Sequence, residues 1–215
     1  MVSRDLTETL IDRLLMLFLI GESQKHGYRI TGKVKLLKLL YLSESRMIKD
    51  KMKGLNYGFY RWNYGPMSNE ALRDLDFLSE NNLLAKEGNS IFITSRGREL
   101  LKSSSNLLNR NEDFLVHIQK TIREFGPYTG GKIKAVVYAT PKIGERKLIR
   151  NAEHGEELLR KLFAEEAKKR FRMDDEWTET LSILMDKGTY DSLKKGEQDA
   201  KEGRVTKYEP LKTLA

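Results

Sequence analysis

Residues 58–94 open with Gly58-Phe59-Tyr60-Arg61-Trp62-Asn63-Tyr64-Gly65-Pro66-Met67-Ser68. A leucine-striped run follows to Asn81, and then comes Leu83-Leu84-Ala85-Lys86-Glu87-Gly88-Asn89-Ser90-Ile91-Phe92-Ile93-Thr94. The aromatic density of Phe59–Trp62 predicts a short strand, because bulky rings pack well on a pleated surface. Gly65-Pro66 breaks that strand. Ser68 stands where its oxygen can take an otherwise unpaired amide in the first turn of a helix. Ala71, Leu72, Leu75, Phe77 and Leu78 give that helix, over 69–81, its buried stripe. Glu87-Gly88-Asn89 is a tight-turn composition between two apolar runs, which predicts a hairpin.

Strand, turn, helix and hairpin in this order predict the middle of a winged helix-turn-helix: a mainly α chain with one small β element, the hairpin being the wing, followed by a helical C-terminal extension. Upstream, Leu6, Leu10, Leu14 and Phe18 recur at about four-residue spacing and predict a helix over 4–20 that stops at Gly21. A second helix over Gly32–Lys49, entered through Thr31, is apolar over much of its circumference and reads as the central helix. Lys33, Lys35, Lys38, Arg46 and Lys49 fall on its remaining surface. Downstream, Thr94 or Ser95 caps a helix to about Leu101, and Ser103-Ser104-Ser105 marks a break. Phe114, Ile118 and Ile122 stripe a helix over 110–125 that Gly126-Pro127 ends, and a short helix follows over 132–138. Residues 141–155 read as a boundary, and Leu158, Leu159, Leu162 and Phe163 give 156–172 the look of a charged helix.

The 215 residues allow one large domain or two small ones. The longest apolar run, 14–20, is far short of the roughly 18 residues that a membrane span needs, and no secretory signal is visible. With no cysteine, disulfides, thiolate catalysis and cysteine-ligated metals are excluded. A cytoplasmic protein with no membrane partner is expected. The formal charge is +8, and its distribution is uneven. From Asp174 to Ala215 ten acids and seven bases give −3, which leaves +11 on the first 173 residues. A basic body could meet nucleic acid, or its charges could simply solvate helix faces.

Catalysis finds no constellation. His26, His117 and His154 lie far apart, none in a paired ligand spacing. Asp174-Asp175-Glu176 lacks the alternation of a calcium loop, and Gly130-Gly131-Lys132 follows no strand. No metal and no cofactor are expected. DNA contact is the natural question for a winged helix, but the helix that would enter the groove carries Glu70, Asp74, Asp76 and Glu80 against Arg73, a repulsive set toward a polyanion. Contact would then fall to Lys33, Lys38, Lys86 and Arg96. Trp62, Tyr64 and Pro66 either form a groove for a peptide or pack the strand onto the central helix.

Two stretches carry a resemblance. Lys35-Leu36-Leu37-Lys38-Leu39-Leu40-Tyr41-Leu42 and Tyr60-Arg61-Trp62-Asn63-Tyr64-Gly65-Pro66-Met67-Ser68 resemble the Panacea domain, the SocA-like antitoxin family, over about residues 8–140. Leu37 stands where the family usually has Gln, and Met67 where it usually has Val after the Gly-Pro. The resemblance implies a non-catalytic module that binds and neutralises a partner toxin. The last segment, with Leu181-Ser182-Ile183-Leu184-Met185-Asp186 and Gly203-Arg204-Val205, resembles the C-terminal segment of type II antitoxins, which implies that it wraps the toxin. Physically, the segment is too sparsely apolar to build a core alone. Ile183, Leu184, Tyr190 and Leu193, with the turn at Arg204 and Val205, would be its anchors; alternatively it folds back on its own domain or on a dimer mate. The organisation expected is therefore a winged-helix-like domain over 1–140, a linker and charged helix over 141–173, and a partner-binding tail over 174–215. The second reading is a winged-helix transcription regulator that binds DNA, in which a homodimer would be natural.

Overall fold

Helix α1 (Leu6–Lys25) starts at a capping box: Asp5 accepts the Glu8 amide at 2.7 Å, and Glu8 accepts the Asp5 amide in return. A computed structural model describes residues 4–204, and it is mainly helical with small sheets. Leu10, Leu14, Leu15, Leu17 and Leu19 of α1 are all buried, so this helix is covered on several sides, whereas Leu6 at the head of the expected stripe is exposed. The helix passes through Gly21 and ends five residues later than expected, at Lys25. Gly21 is a contact point instead: a Cβ there would stand 3.2 Å from Leu101.

Strand β1 (Ile30–Thr31) leads into α2 (Gly32–Lys49), which is central as expected, with Leu36, Leu39, Leu40 and Tyr41 buried. Two of its lysines are not on the surface. The Lys35 ammonium donates to the carbonyls of Arg29 and Gly126, both at 2.7 Å, and Lys38 is also buried. Helical spacing alone puts both on the outside, but Gly126 and Pro66 close over that side too. The loop expected over 50–57 holds a short strand, β2 (Met52–Lys53).

Strands β3 (Phe59–Trp62) and β4 (Gly65–Met67) form a hairpin around Asn63-Tyr64, with Trp62 opposite Gly65. The Gly-Pro pair therefore begins a second strand, and Gly65 supplies the positive φ, +95°, that the turn demands. Helix α3 (Asn69–Glu80) follows, its cap Ser68 accepting the Ala71 amide at 3.3 Å. Strands β5 (Leu84–Glu87) and β6 (Ser90–Ile93) make the expected hairpin, and β1 extends it to a sheet of order β1-β6-β5. Thr94 caps α4 (Ser95–Ser103), and the serine break separates it from α5 (Ser105–Arg110). Helices α6 (Glu112–Phe125) and α7 (Gly130–Tyr138) then pack against α2.

The charged helix expected over 156–172 does not form. Strand β7 (Glu157–Leu159) pairs with β3, a single 3-10 turn spans Ala164–Glu166, and β8 (Lys169–Arg170) runs parallel to β2. A short apolar run fits a strand as well as a helix, and here open sheet edges supply the hydrogen bonds. Neighbouring Leu158 and Leu159 are both buried, and Phe171 packs on Phe114 at 5.6 Å between ring centres. Asn111, buried, fixes the end of the stretch by accepting the Arg172 amide at 2.6 Å and donating to the Arg172 carbonyl at 2.9 Å. Residues 141–173 thus lie against the body through sheet pairing.

Helix α8 (Asp175–Met185) buries Leu181 and Met185 in the same core, packing on α1. Helix α9 (Lys187–Lys201) buries no residue. Among the described residues no helix is long and apolar enough to cross a membrane.

Candidate functional site

Where α2 passes beneath the β3–β4 turn, a groove of about 210 Å³ opens. Its inner wall is Val34, Leu37, Met67 and Leu72, and its outer wall is Trp62, Tyr64 and Pro66. Residues that the sequence singled out for two different roles, Trp62, Tyr64 and Pro66 for a peptide and Lys33 and Lys38 for DNA, are brought together here. Phe59, rather than Trp62, packs the strand onto α2, meeting Tyr41 edge-on at 5.4 Å. Trp62 is 41 % exposed and lies against His154 at 4.0 Å between centres, and Tyr64 is 60 % exposed under the Lys134 ammonium at 5.0 Å.

Lys38 is the chemical centre of the groove. It is 2 % exposed, and its ammonium makes one hydrogen bond, to the Pro66 carbonyl at 2.8 Å. Burial, reinforced by the positive charges of Lys134 and Arg61, pushes its amine down to about 7. The Arg61 guanidinium lies over the Tyr138 ring at 4.8 Å, and its Nε is buried without a hydrogen-bond partner. Among the described residues no carboxylate lines the groove.

The other basic candidates are engaged. Lys33 and Lys86 both face Asp76 of α3, at 3.6 and 3.7 Å. Arg96 donates to the Asn81 carbonyl and, at 2.8 Å, to the Leu184 carbonyl, and it lies over the Tyr190 ring at 4.9 Å. Lys38 is sealed from any polyanion by its burial. The four residues do not form one free basic face.

In the tail, Leu184 packs against the core and Ile183 is half-buried, so both belong to the body. Tyr190 sits against Arg96, and Leu193 is 49 % exposed. Arg204 folds back onto Asp199 at 2.8 Å and onto Glu202. Val205 lies outside the described residues.

A buried polar cluster that no sequence pattern announces lies between α1, the loop before β3, and α3. The Arg4 guanidinium bonds Asp12 at 2.6 Å and Asp74 at 2.7 Å, Arg13 bonds Asp74 at 3.0 Å, and the Tyr57 hydroxyl donates to Asp74 at 3.2 Å. Asn56 donates to Asp12 through its backbone and its side chain, at 2.8 and 3.1 Å. Beside this cluster Glu44 is fully buried, and neither carboxyl oxygen has a hydrogen bond of good geometry. Burial raises its pKa well above the usual carboxylate range; the field of Asp12 adds to that, and the Tyr57 backbone amide opposes it. Two of the four acids that crowded α3 in the sequence are thus turned inward: Asp74 is buried, and Glu70 accepts the Gly58 amide at 3.0 Å.

His117 faces Asp50 at 3.5 Å and His26 faces Glu22 at 3.1 Å. Among the described residues no group of three or more His, Cys, Asp and Glu is arranged to hold a metal ion. No protein-family model matches the chain, and comparisons with curated proteins and with solved structures likewise return no match.

Proposed function

We propose that this chain is a non-catalytic, antitoxin-like binding protein, and that α9 is the element that grips its partner toxin. The observation that carries the reading is α9 itself. It is a helix of 15 residues with none buried, and it contains Gly188 and Gly196. A free helix of that length is marginal in water, and each interior glycine costs about 1 kcal/mol relative to alanine. A partner surface would supply the burial that its own body does not, with Tyr190 and Leu193 as anchors. The acids of the C-terminal segment gather between Asp174 and Asp186, whereas α9 itself carries three acids against four bases, so its grip would rest on these apolar anchors and not on net charge.

Support for a winged-helix core comes from the order of α1, β1, α2, α3, β5 and β6, and from the pairing β1-β6-β5. In this reading the core is the scaffold that presents α9, and the described boundary of the grip moves from Asp174 to Lys187, because α8 is part of the body.

The test is co-purification with the small basic protein expected from a neighbouring reading frame. The full chain should retain it. The double variant Tyr190→Ala, Leu193→Ala should lose it, with the fold retained by circular dichroism and a loss of stability of about 1 kcal/mol at most, since Tyr190 also carries Arg96. Undiminished capture by that variant would overturn the role of α9.

A further inference from the structure

Where α2 ends, the parallel pairing of β2 with β8 brings two basic stretches together, residues 49–53 and 168–172. Lys49, Lys51, Lys168, Lys169, Arg170 and Arg172 are all exposed there. The neighbouring acids are already engaged. Asp113 is taken by Lys169, Asp50 faces His117 at 3.5 Å, Asp174 faces Arg110 at 3.5 Å, and Glu8 is held by Lys53 and Lys161, both at 2.7 Å. Among the described residues none of the five cations other than Lys169 has an ion pair. Like charges brought together in a sheet are destabilising, yet Arg170 stands opposite Lys53, and the Lys51 carbonyl accepts the amides of Lys168 and Lys169 at 2.8 and 3.3 Å. The C-terminal dipole of α2 offsets part of that cost for Lys49 and Lys51, but not for the cations that β8 brings. Lys51 also has a φ of +54° just past the helix end, a place that usually takes glycine. The fold keeps a lysine side chain there at the cost of local strain.

We infer that this surface binds the sugar–phosphate backbone of a nucleic acid without reading its bases. Lys169 and Phe171 turn toward α6, where they meet Asp113 and Phe114. The pleat leaves Arg170 and Arg172 on the outer side, about 6.6 Å apart as alternate residues of a strand. Cations in such a row can follow successive phosphates along one strand, and arginine and lysine are the side chains that neutralise them. The surface offers no apolar anchor, because Phe171, the ring nearest to it, is buried. A protein partner would draw its affinity from buried aromatic and aliphatic anchors, and a membrane surface would need apolar side chains to enter it. A ligand held by charge alone fits a polyanion backbone best. No exposed ring is present for a base to stack on, so binding should ignore sequence. The surface includes no residue of α3, the hairpin or α9, and it does not depend on the role given to α9 above.

The probes are short fluorescein-labelled duplex DNA, single-stranded DNA and single-stranded RNA, each in two unrelated sequences. Binding to the full chain is read by fluorescence anisotropy from about 50 to 200 mM KCl. At least one of the three forms should bind saturably, equally in both sequences, and weaken steeply with salt. The triple variant Lys168→Glu, Arg170→Glu, Arg172→Glu should bind at least about tenfold more weakly at the low-salt end and lower the salt slope by about 2 to 3. A control of equal charge change at exposed positions elsewhere, Arg73→Glu, Lys102→Glu, Lys195→Glu, should stay within about threefold of the parent, since charges beyond a Debye length are screened. All six positions are exposed, and circular dichroism checks that each variant folds. Absence of saturable binding at low salt would overturn the inference. So would an equal loss in the control, a tenfold preference for one sequence, or tighter binding to phosphatidylserine–phosphatidylcholine vesicles than to any nucleic acid.

Discussion

Two of the places where the molecule buries charge differ in kind. Around Asp74, two arginines, two aspartates, a tyrosine hydroxyl and an asparagine satisfy one another at 2.6–3.2 Å. Under the β3–β4 turn, Lys38 has a backbone carbonyl, and its charged neighbours Arg61 and Lys134 share its sign. The first is closed, its acids and bases answering each other. The second has no counter-charge, and burial answers it by pushing the Lys38 amine down to about 7. Burial alone therefore does not fix the charge state of a group; the presence or absence of a counter-charge does.

The contrast can be broken most forcefully at Asp74. Asp74→Ala leaves Arg13 and Tyr57 without their carboxylate and takes one of its carboxylate partners from Arg4, and it should cost about 3–5 kcal/mol in urea unfolding. A loss below about 1 kcal/mol would show the cluster to be dispensable.

The pH dependence of stability sharpens it next, with opposite signs at two buried groups. Glu44 titrates in the folded state above its ordinary value of 4.5, so the folded form holds the proton that the unfolded form has released. Its contribution is complete below 4.5 and is lost as pH rises through the folded value. Lys38 titrates near 7 instead of 10.5, so its contribution is complete above 10.5 and is lost as pH falls toward 7. Glu44→Gln should flatten the fall on the rising-pH side, and Lys38→Met should flatten the dependence between about 7 and 10.5, each read by unfolding at stepped pH. An unchanged profile in either variant contradicts the assignment for that group. The smallest effect belongs to Trp62→Ala, expected within about 0.5 kcal/mol of the parent because the ring stands at the groove mouth.

Local chemistry made the middle of the chain legible. Ser68 and Thr94 cap the helices they were expected to cap, and Gly88-Asn89 turns the hairpin. At 156–172 local chemistry was ambiguous, because Leu158 and Leu159 suit either period and only the β3 edge decides between them. The groove was half legible: its aromatics and its lysines each stood out, but that α2 carries Lys38 beneath Pro66, 28 positions away, is a tertiary fact. The Asp74 cluster was not legible at all. Arg4 lies 70 residues from Asp74, and an acid on a helix reads as solvated until a base is found to meet it.

The start of α9 is pinned three ways. Asp186 accepts the Thr189 amide at 2.8 Å, Asn81 accepts the Lys187 amide at 2.8 Å, and Arg96 holds the Leu184 carbonyl and covers Tyr190. From that footing the helix runs about 22 Å, at about 1.5 Å per residue, with Asp191–Gln198 all exposed. It is a mast with a fixed heading rather than a tether. Whatever it holds is held at a set bearing, and one residue added near its foot would turn every side chain beyond it by about 100° around the helix axis.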